Sequence, residues 1–234
     1  MDINEYLLEL VQKTSRELLK IYFEKPNRET LLKFPKYKNG ITRISEQELR
    51  FTLTNLQEQS SYPGLYYSVE TPTKEDYSFS EKGKRSASSD LSFYYNEKKV
   101  LNVELKAFNS VQKAIDKDIE KLVRENCNGA WIHIFKNEKS GTVKTLFKKF
   151  EKAFSKNNHS DEPISFHILI LETQTLLSRK GKENDNYNNI FNIDYSLWKN
   201  LKQGQYEFVN GKPRTKENPH KDWQIVKFDI ANEI

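Results

Sequence analysis

The stretch "SASSDLSFYYNEKKVLNVELKAF", residues 86–108, carries two runs of alternating apolar and polar residues around a polar turn. Leu91, Phe93 and Tyr95 fall on one side of the first run, and Leu101, Val103 and Leu105 on one side of the second. Both runs therefore read as strands of a hairpin with one buried face. Directly opposed residues on a shared face must have numbers with an even sum, which predicts an odd loop; three residues, Asn96, Glu97 and Lys98, are the simplest choice. In that register Tyr95 pairs with Lys99, Phe93 with Leu101, and Asp90 with Glu104. The two carboxylates are then expected with Cβ atoms about 4.5–5.5 Å apart, a repulsive pair unless a proton is shared, a cation neutralises it, or water screens it.

Lys106 lies two residues past Glu104 on the same polar face, roughly 6.5–7 Å along the strand. A divalent cation gives this group a chemical role. Asp90, Glu104 and the Leu105 backbone carbonyl would hold Mg²⁺ through oxygen, with Mn²⁺ as its substitute. Lys106 would orient an attacking water or help remove its proton. That is the outline of a site for phosphodiester hydrolysis.

The pattern around the hairpin predicts a mixed α/β protein. Residues 3–23 carry an apolar helical stripe through Tyr6, Leu7, Leu10, Val11, Leu18, Ile21 and Tyr22. A second helix is expected from "ISEQELRFTLTNLQEQ", with Ser45 as N-cap and Glu48 in the N3 position. "LYYSVETPT", 65–73, reads as a strand and "KEDYSFSEKGKRSASS", 74–89, as a polar loop before the hairpin. Beyond the hairpin a helix is expected over 110–126, a buried strand over 129–136, a helix over 142–157 and a strand over 164–173. The chain then turns polar, and "YSLWKNL" and "DWQIVKFDI" suggest a short helix and a last strand.

The order from residue 45 to 136, together with Asp90 and the Glu-X-Lys of Glu104 to Lys106, resembles the PD-(D/E)XK nuclease superfamily. The resemblance implies a restriction-endonuclease-like αβββαβ core with a mixed central sheet flanked by helices. It implies that residues 1–40 form an N-terminal helical extension and 41–234 the nuclease-like domain, with a core of about 45–173 and a C-terminal elaboration over 174–234. It further implies metal binding at Asp90 and Glu104 and catalysis through Lys106. An additional helical carboxylate is expected at Glu46, because "SEQEL" looks like the helix start of archaeal Holliday-junction resolvases; Glu48 is the second choice. Ser89 stands where the motif's proline would be, and Gln47 where the resolvases carry arginine.

Glu97 to Lys99 also spells Glu-X-Lys, but it falls in the expected turn, whereas Glu104 lies within an alternating strand. The mild basic bias, 38 Lys and Arg against 33 Asp and Glu, is compatible with a nucleic-acid partner without demanding one, and the resemblance implies DNA before RNA. Lysines 136–156 hold much of that surplus, yet they lie opposite Phe147, Phe150 and Phe154 and read as a solvated helix surface. Better phosphate contacts are Lys82, Lys84 and Arg85, which lead into Asp90, then Lys113 on the helix after the hairpin, and Lys212, Arg214 and Lys216 near the C-terminus.

His133 and His167 sit in apolar strands and are expected as core histidines. Cys127, the one cysteine, excludes an intrachain disulfide, and no Cys and His set has zinc-site spacing. The acidic start "MDINEYLLELVQK" does not resemble a signal peptide, so a cytoplasmic location is expected, with no membrane partner. No nucleophile triad, phosphate-cradling loop or dinucleotide fingerprint is present. The function expected is a metal-dependent DNA nuclease of restriction or antiviral defence, with a second copy of the chain or a partner protein supplying targeting. The alternative is a non-catalytic nucleic-acid-binding or complex-forming subunit that keeps the fold.

Overall fold

The computed structural model describes residues 2–24, 33–60, 62–77, 85–137, 142–157, 160, 162–183, 185, 187, 190–191, 207–209, 212–214 and 223–230, with the backbone alone at 85, 142, 207–209 and 212–214. Its elements are α1 (Ile3–Tyr22), α2 (Glu46–Ser60), β1 (Leu65–Tyr77), β2 (Arg85–Tyr95), β3 (Lys98–Ala107), α3 (Gln112–Arg124), β4 (Asn128–Phe135), α4 (Thr142–Phe154), β5 (Ile164–Ile170), β6 (Thr175–Arg179), β7 (Glu207–Val209), β8 (Lys212–Arg214) and β9 (Trp223–Lys227). Seven strands form one mixed sheet in the order β1-β2-β3-β4-β5-β6-β9, and β7 and β8 pair separately. The pairs β3–β4 and β4–β5 are parallel and the others in the sheet antiparallel. Parallel neighbours need crossover connections, which α3 and α4 supply.

Strand alternation divides the core into two. Leu91, Phe93, Leu101, Val103, Leu105, Ala130, Ile132 and Ile134 are buried in a cluster with residues of α1 and α2. Trp131, Phe135, Phe166, Ile168 and Ile170 are buried in a second cluster with Ile115, Ile119 and Leu122 of α3 and Val143, Phe147, Phe150 and Phe154 of α4. A three-layer α/β/α arrangement results. With helices on both sides, β5 is buried along its whole length and β4 at all but its first residue, as expected of central parallel strands.

Helix α1, read from sequence as an extension, is packed into the first cluster through Leu7, Leu10, Val11, Leu18 and Leu19. Its Tyr6 hydroxyl donates to Gln57 of α2 at 2.6 Å. Ser45 and Glu48 form one arm of the expected capping box: the Glu48 carboxylate accepts from the Ser45 amide at 2.7 Å and from its hydroxyl.

The hairpin turn differs from the expected three-residue loop. Tyr95 pairs with Lys98, so two residues, Asn96 and Glu97, make the turn. Their φ angles of 48° and 64° are both left-handed, as a type I′ turn requires. The register then steps between Phe93 and Tyr94, which pair with Leu101 and Lys99, and Val100 is the extra residue of a β-bulge. Turn and bulge together return Phe93 to Leu101 and Leu91 to Val103, the expected pairs. The apolar face thus dictates register, and the bulge absorbs the residue that a tight turn leaves over.

Residues 74–77 and 85–89, expected as loop, extend β1 and β2 across a second irregularity between Pro72 and Asp76. Their polar sequence is held by Glu125 at the end of α3. Its carboxylate accepts from the Lys74 and Glu75 amides at 3.0 and 3.2 Å and pairs with Lys99 at 2.7 Å. The strand β6 follows a turn at 171–174 and carries a polar end that sequence reading assigned to the tail. There Arg179, 1% exposed, is neutralised by Asp185 through two contacts of 2.7 and 2.8 Å. The expected last strand is present as β9, while the expected helix at 195–201 lies outside the described residues. No described helix is long and apolar enough to cross a membrane.

Two stability changes are expected. Glu97→Gly supplies the residue that the second turn position favours and should raise unfolding free energy by roughly 0.5–1 kcal/mol; a loss in chemical denaturation would contradict the two-residue turn. Glu125→Ala leaves Lys99 buried without its partner and should cost about 3–5 kcal/mol in the same measurement.

Candidate active site

The side chains of Glu104 and Lys106 project from β3 toward α3, opposite Leu101, Val103 and Leu105. Asp90 reaches the same face from β2, where its Oδ2 accepts the Leu105 backbone N–H at 2.7 Å. The backbone ladder pairs residues only as far as Leu91 with Val103. One step further, at the expected position opposite Glu104, the Asp90 carboxylate itself joins the strands. Asp90 Oδ1 makes no hydrogen bond or ion pair among the described residues.

Glu104 is wholly buried. Lys121 Nζ lies 2.6 Å from its Oε1. This contact is an ion pair without directed hydrogen-bond geometry, and Oε2 has no partner among the described residues. Lys106 Nζ donates to the Leu105 carbonyl at 3.0 Å and pairs with Asp118 Oδ2 at 3.0 Å, with Asp90 Oδ2 at 3.8 Å. Asp118 Oδ1 in turn pairs with Lys121 at 3.0 Å. The charges therefore alternate through the group: Asp90, Lys106, Asp118, Lys121, Glu104.

Asp118 and Lys121 were not among the candidates read from sequence. Both lie on the buried face of α3 with Ile115, Ile119 and Leu122. Spacing carries the signal: Asp118 occupies the i+3 position of the stripe from Ile115 to Leu122, where an apolar residue would ordinarily stand. A charge in that register, on the helix directly after the hairpin, marks a partner for a buried strand charge.

Burial, then the neighbouring Asp118, push the Glu104 carboxyl well above the usual carboxylate range against the pull of Lys121. For Lys106, burial opposes the charged form, but Asp118, Asp90 and Glu104 outweigh it and raise the ammonium above its ordinary value. Lys121 is raised in the same way, with Glu104 and Asp118 outweighing its burial. Both lysines are held as cations.

His133 stands beside this group as a neutral core residue, as expected. Burial brings it down to about 3. Trp131 Nε1 donates to its Nδ1 at 3.3 Å, which leaves its Nε2–H to donate to the Phe108 carbonyl at 2.6 Å. Phe108 has a φ of 60°, and its amide donates to the Ile134 carbonyl at 2.9 Å. The chain leaving Lys106 is thereby fastened to β4 at two points. His167 is likewise a core residue, with Nδ1 3.0 Å from the Ser178 hydroxyl.

The other candidates are dispersed. Glu46 begins α2, which packs on the face opposite Glu104, and has no hydrogen bond or ion pair to Asp90, Glu104 or Lys106. Glu48 is committed to its cap. Lys113 is exposed on the first turn of α3. Arg85 opens β2, and Lys212 and Arg214 lie on β8, whereas Lys82, Lys84 and Lys216 fall outside the described residues. Lys144, Lys148, Lys152 and Lys156 are exposed opposite the buried phenylalanines of α4.

Among the described residues, no three His, Cys, Asp or Glu side chains stand together as a ready metal cage. The donors that do converge are all oxygens: Asp90, Glu104 and the Leu105 carbonyl. The orphaned Glu104 Oε2 is the group that a cation would satisfy, and such donors suit Mg²⁺ or Mn²⁺. No protein-family model, curated protein or solved structure matches the chain.

The raised Glu104 carboxyl has a consequence for stability. In the unfolded chain a glutamate titrates near about 4.3. The fold holds the proton more tightly, so stability is lost as pH rises from there toward the folded value. Glu104→Gln cannot ionise and escapes that loss. Without divalent metal, its melting temperature relative to wild type should climb as pH rises above about 4; a constant difference would show that Glu104 does not titrate in this way.

Proposed function

We propose that the chain is a metal-dependent nuclease of the PD-(D/E)XK type, with a restriction-endonuclease-like core, that hydrolyses DNA phosphodiester bonds. The observation that supports this reading most is the convergence of Asp90, Glu104 and Lys106 on one sheet face, with a buried carboxylate oxygen of Glu104 lacking a partner. Asp90, Glu104 and the Leu105 carbonyl would hold Mg²⁺, or Mn²⁺ in its place. Bound there, the ion would polarise a phosphate oxygen and lower the pKa of a water.

The chain's own residues do the rest. Lys106, 13% exposed, is the ammonium of the group that reaches the surface. Held protonated by its carboxylate neighbours, it acts as a cation that orients the nucleophile and offsets charge developing on phosphate. Asp118 positions Lys106, and the fastening of Phe108 by His133 and Ile134 fixes the strand end that carries it. Exposed Lys113, on the first turn of α3, would supply a phosphate contact. Restriction or antiviral defence is the biological setting by family analogy, with targeting supplied by a second copy or a partner protein.

One observation favours the second reading, a non-catalytic nucleic-acid-binding or complex-forming subunit. Lys106 and Lys121 already neutralise most of the carboxylate charge, so the group is stable without a metal.

Incubation of supercoiled and linear DNA with Mg²⁺, Mn²⁺ or EDTA separates the two readings. Wild type should cut only with metal, while Glu104→Ala and Lys106→Ala should each slow cutting by at least about 10²-fold. Metal-dependent cutting that survives both substitutions would overturn this site, and DNA binding without cutting would favour the subunit.

A further inference from the structure

Lys121 is set apart from Lys106 by its depth and by what surrounds it. Its side chain is 3% exposed. Three oxygens from three elements lie around Nζ: Glu104 Oε1 of β3 at 2.6 Å, the Ser88 carbonyl of β2 at 2.8 Å, and Asp118 Oδ1 of α3 at 3.0 Å. Of these, the Ser88 carbonyl accepts a hydrogen bond and the two carboxylates are ion-pair partners, so the ammonium is surrounded by oxygen on three sides. Two carboxylate oxygens and a carbonyl are also what an oxygen-seeking divalent ion takes. The position is built for a positive charge, and the chain provides one.

A second observation bears on how many further cations the group accepts. Glu104 is fully buried, and while Oε1 faces Lys121, Oε2 lacks any partner among the described residues. One oxygen of this carboxylate is thus matched by the resident ammonium and the other is left for one more cation. With Glu104 ionised, as metal binding requires of it, three carboxylates and two ammoniums leave a single negative charge, which one divalent ion already overcompensates. A second ion would have to enter beside Lys121 at the same oxygens, against its charge.

Resting on the reading of Asp90 and Glu104 as metal ligands, we infer that Lys121 is a resident cation standing in the place of a second divalent ion, so that the site holds one metal ion. Lys121 does not touch the substrate in this arrangement. It is a positioning residue that fixes Glu104 and excludes the second ion.

Titration of the full chain with Mn²⁺, read by the electron paramagnetic resonance signal of free Mn²⁺, tests this. Wild type should bind one ion, and Lys121→Ala, with the charge and bulk removed, should bind two, with the line broadening of a coupled pair. Two ions in wild type, or one in folded Lys121→Ala, would overturn the inference while leaving the metal site standing. No ion bound by wild type would remove the metal site and the inference together. Wild type also gives a measurement independent of how the variant folds. The ¹⁵N ammonium resonance of Lys121, sheltered by its three oxygens, should persist when Mg²⁺ saturates the protein; its loss to a solvent-exchanging lysine signal on adding Mg²⁺ would overturn the inference.

Discussion

A carboxylate with no access to water, Glu104 on β3, is the constraint around which the middle of the sheet is arranged. Desolvating it costs several kcal/mol unless an opposite charge is brought close. Helix α3 brings Lys121 to 2.6 Å, and Asp118 one turn earlier links that lysine to Lys106. The docking of α3 therefore answers to charge as well as to Ile115, Ile119 and Leu122. A well-packed apolar pair of similar volume would serve stability at least as well. Stability alone therefore gives no reason for this polar group, which the proposed metal-binding reading would account for.

The sheet can carry that cost because its two faces have different work. Under α1 and α2 the hairpin residues Leu91, Phe93, Leu101, Val103 and Leu105 form an unbroken apolar surface. A slip by one residue would turn all of them toward the polar side, so the register is strongly specified. The bulge at Val100 and the left-handed turn at Asn96 and Glu97 are the local adjustments that satisfy it. Asp90 then arrives on the α3 face as a by-product of packing on the other face. There its carboxylate takes the Leu105 amide and holds the two strands together past their last backbone pair.

This division explains what could be read from the sequence. Alternation in 91–95 and 101–105 reveals the hairpin and places Asp90, Glu104 and Lys106 on a common face, because a period of two is a direct image of a half-buried strand. Parity fixes only the sum of turn and bulge residues, so a two-residue turn with a one-residue bulge has the same signature as a three-residue loop. Residues 74–77 read as loop because the Lys74 and Glu75 amides are satisfied by a side chain about 50 positions away, the Glu125 carboxylate, which no local pattern announces. Asp118 and Lys121 were passed over for a similar reason. On a helix with many charges, two on the inner face are visible only once the strand charge they answer is known to be buried.

The two lysines divide one task by depth. Asp118 spends one oxygen on each, Oδ1 on Lys121 and Oδ2 on Lys106, and so couples them while favouring the charged form of both. Lys121 has its oxygens on three elements and cannot leave without unpairing Glu104 in a dry interior. Lys106 is held more loosely, 3.8 Å from Asp90 and resting on the carbonyl of its own neighbour, Leu105. An incoming cation that claims the Leu105 carbonyl and Asp90 would displace Lys106 and leave Lys121 in place. On the proposed metal-binding reading, the lysine at the surface would then be the one free to turn outward, while the buried one would keep the Glu104 carboxylate aimed.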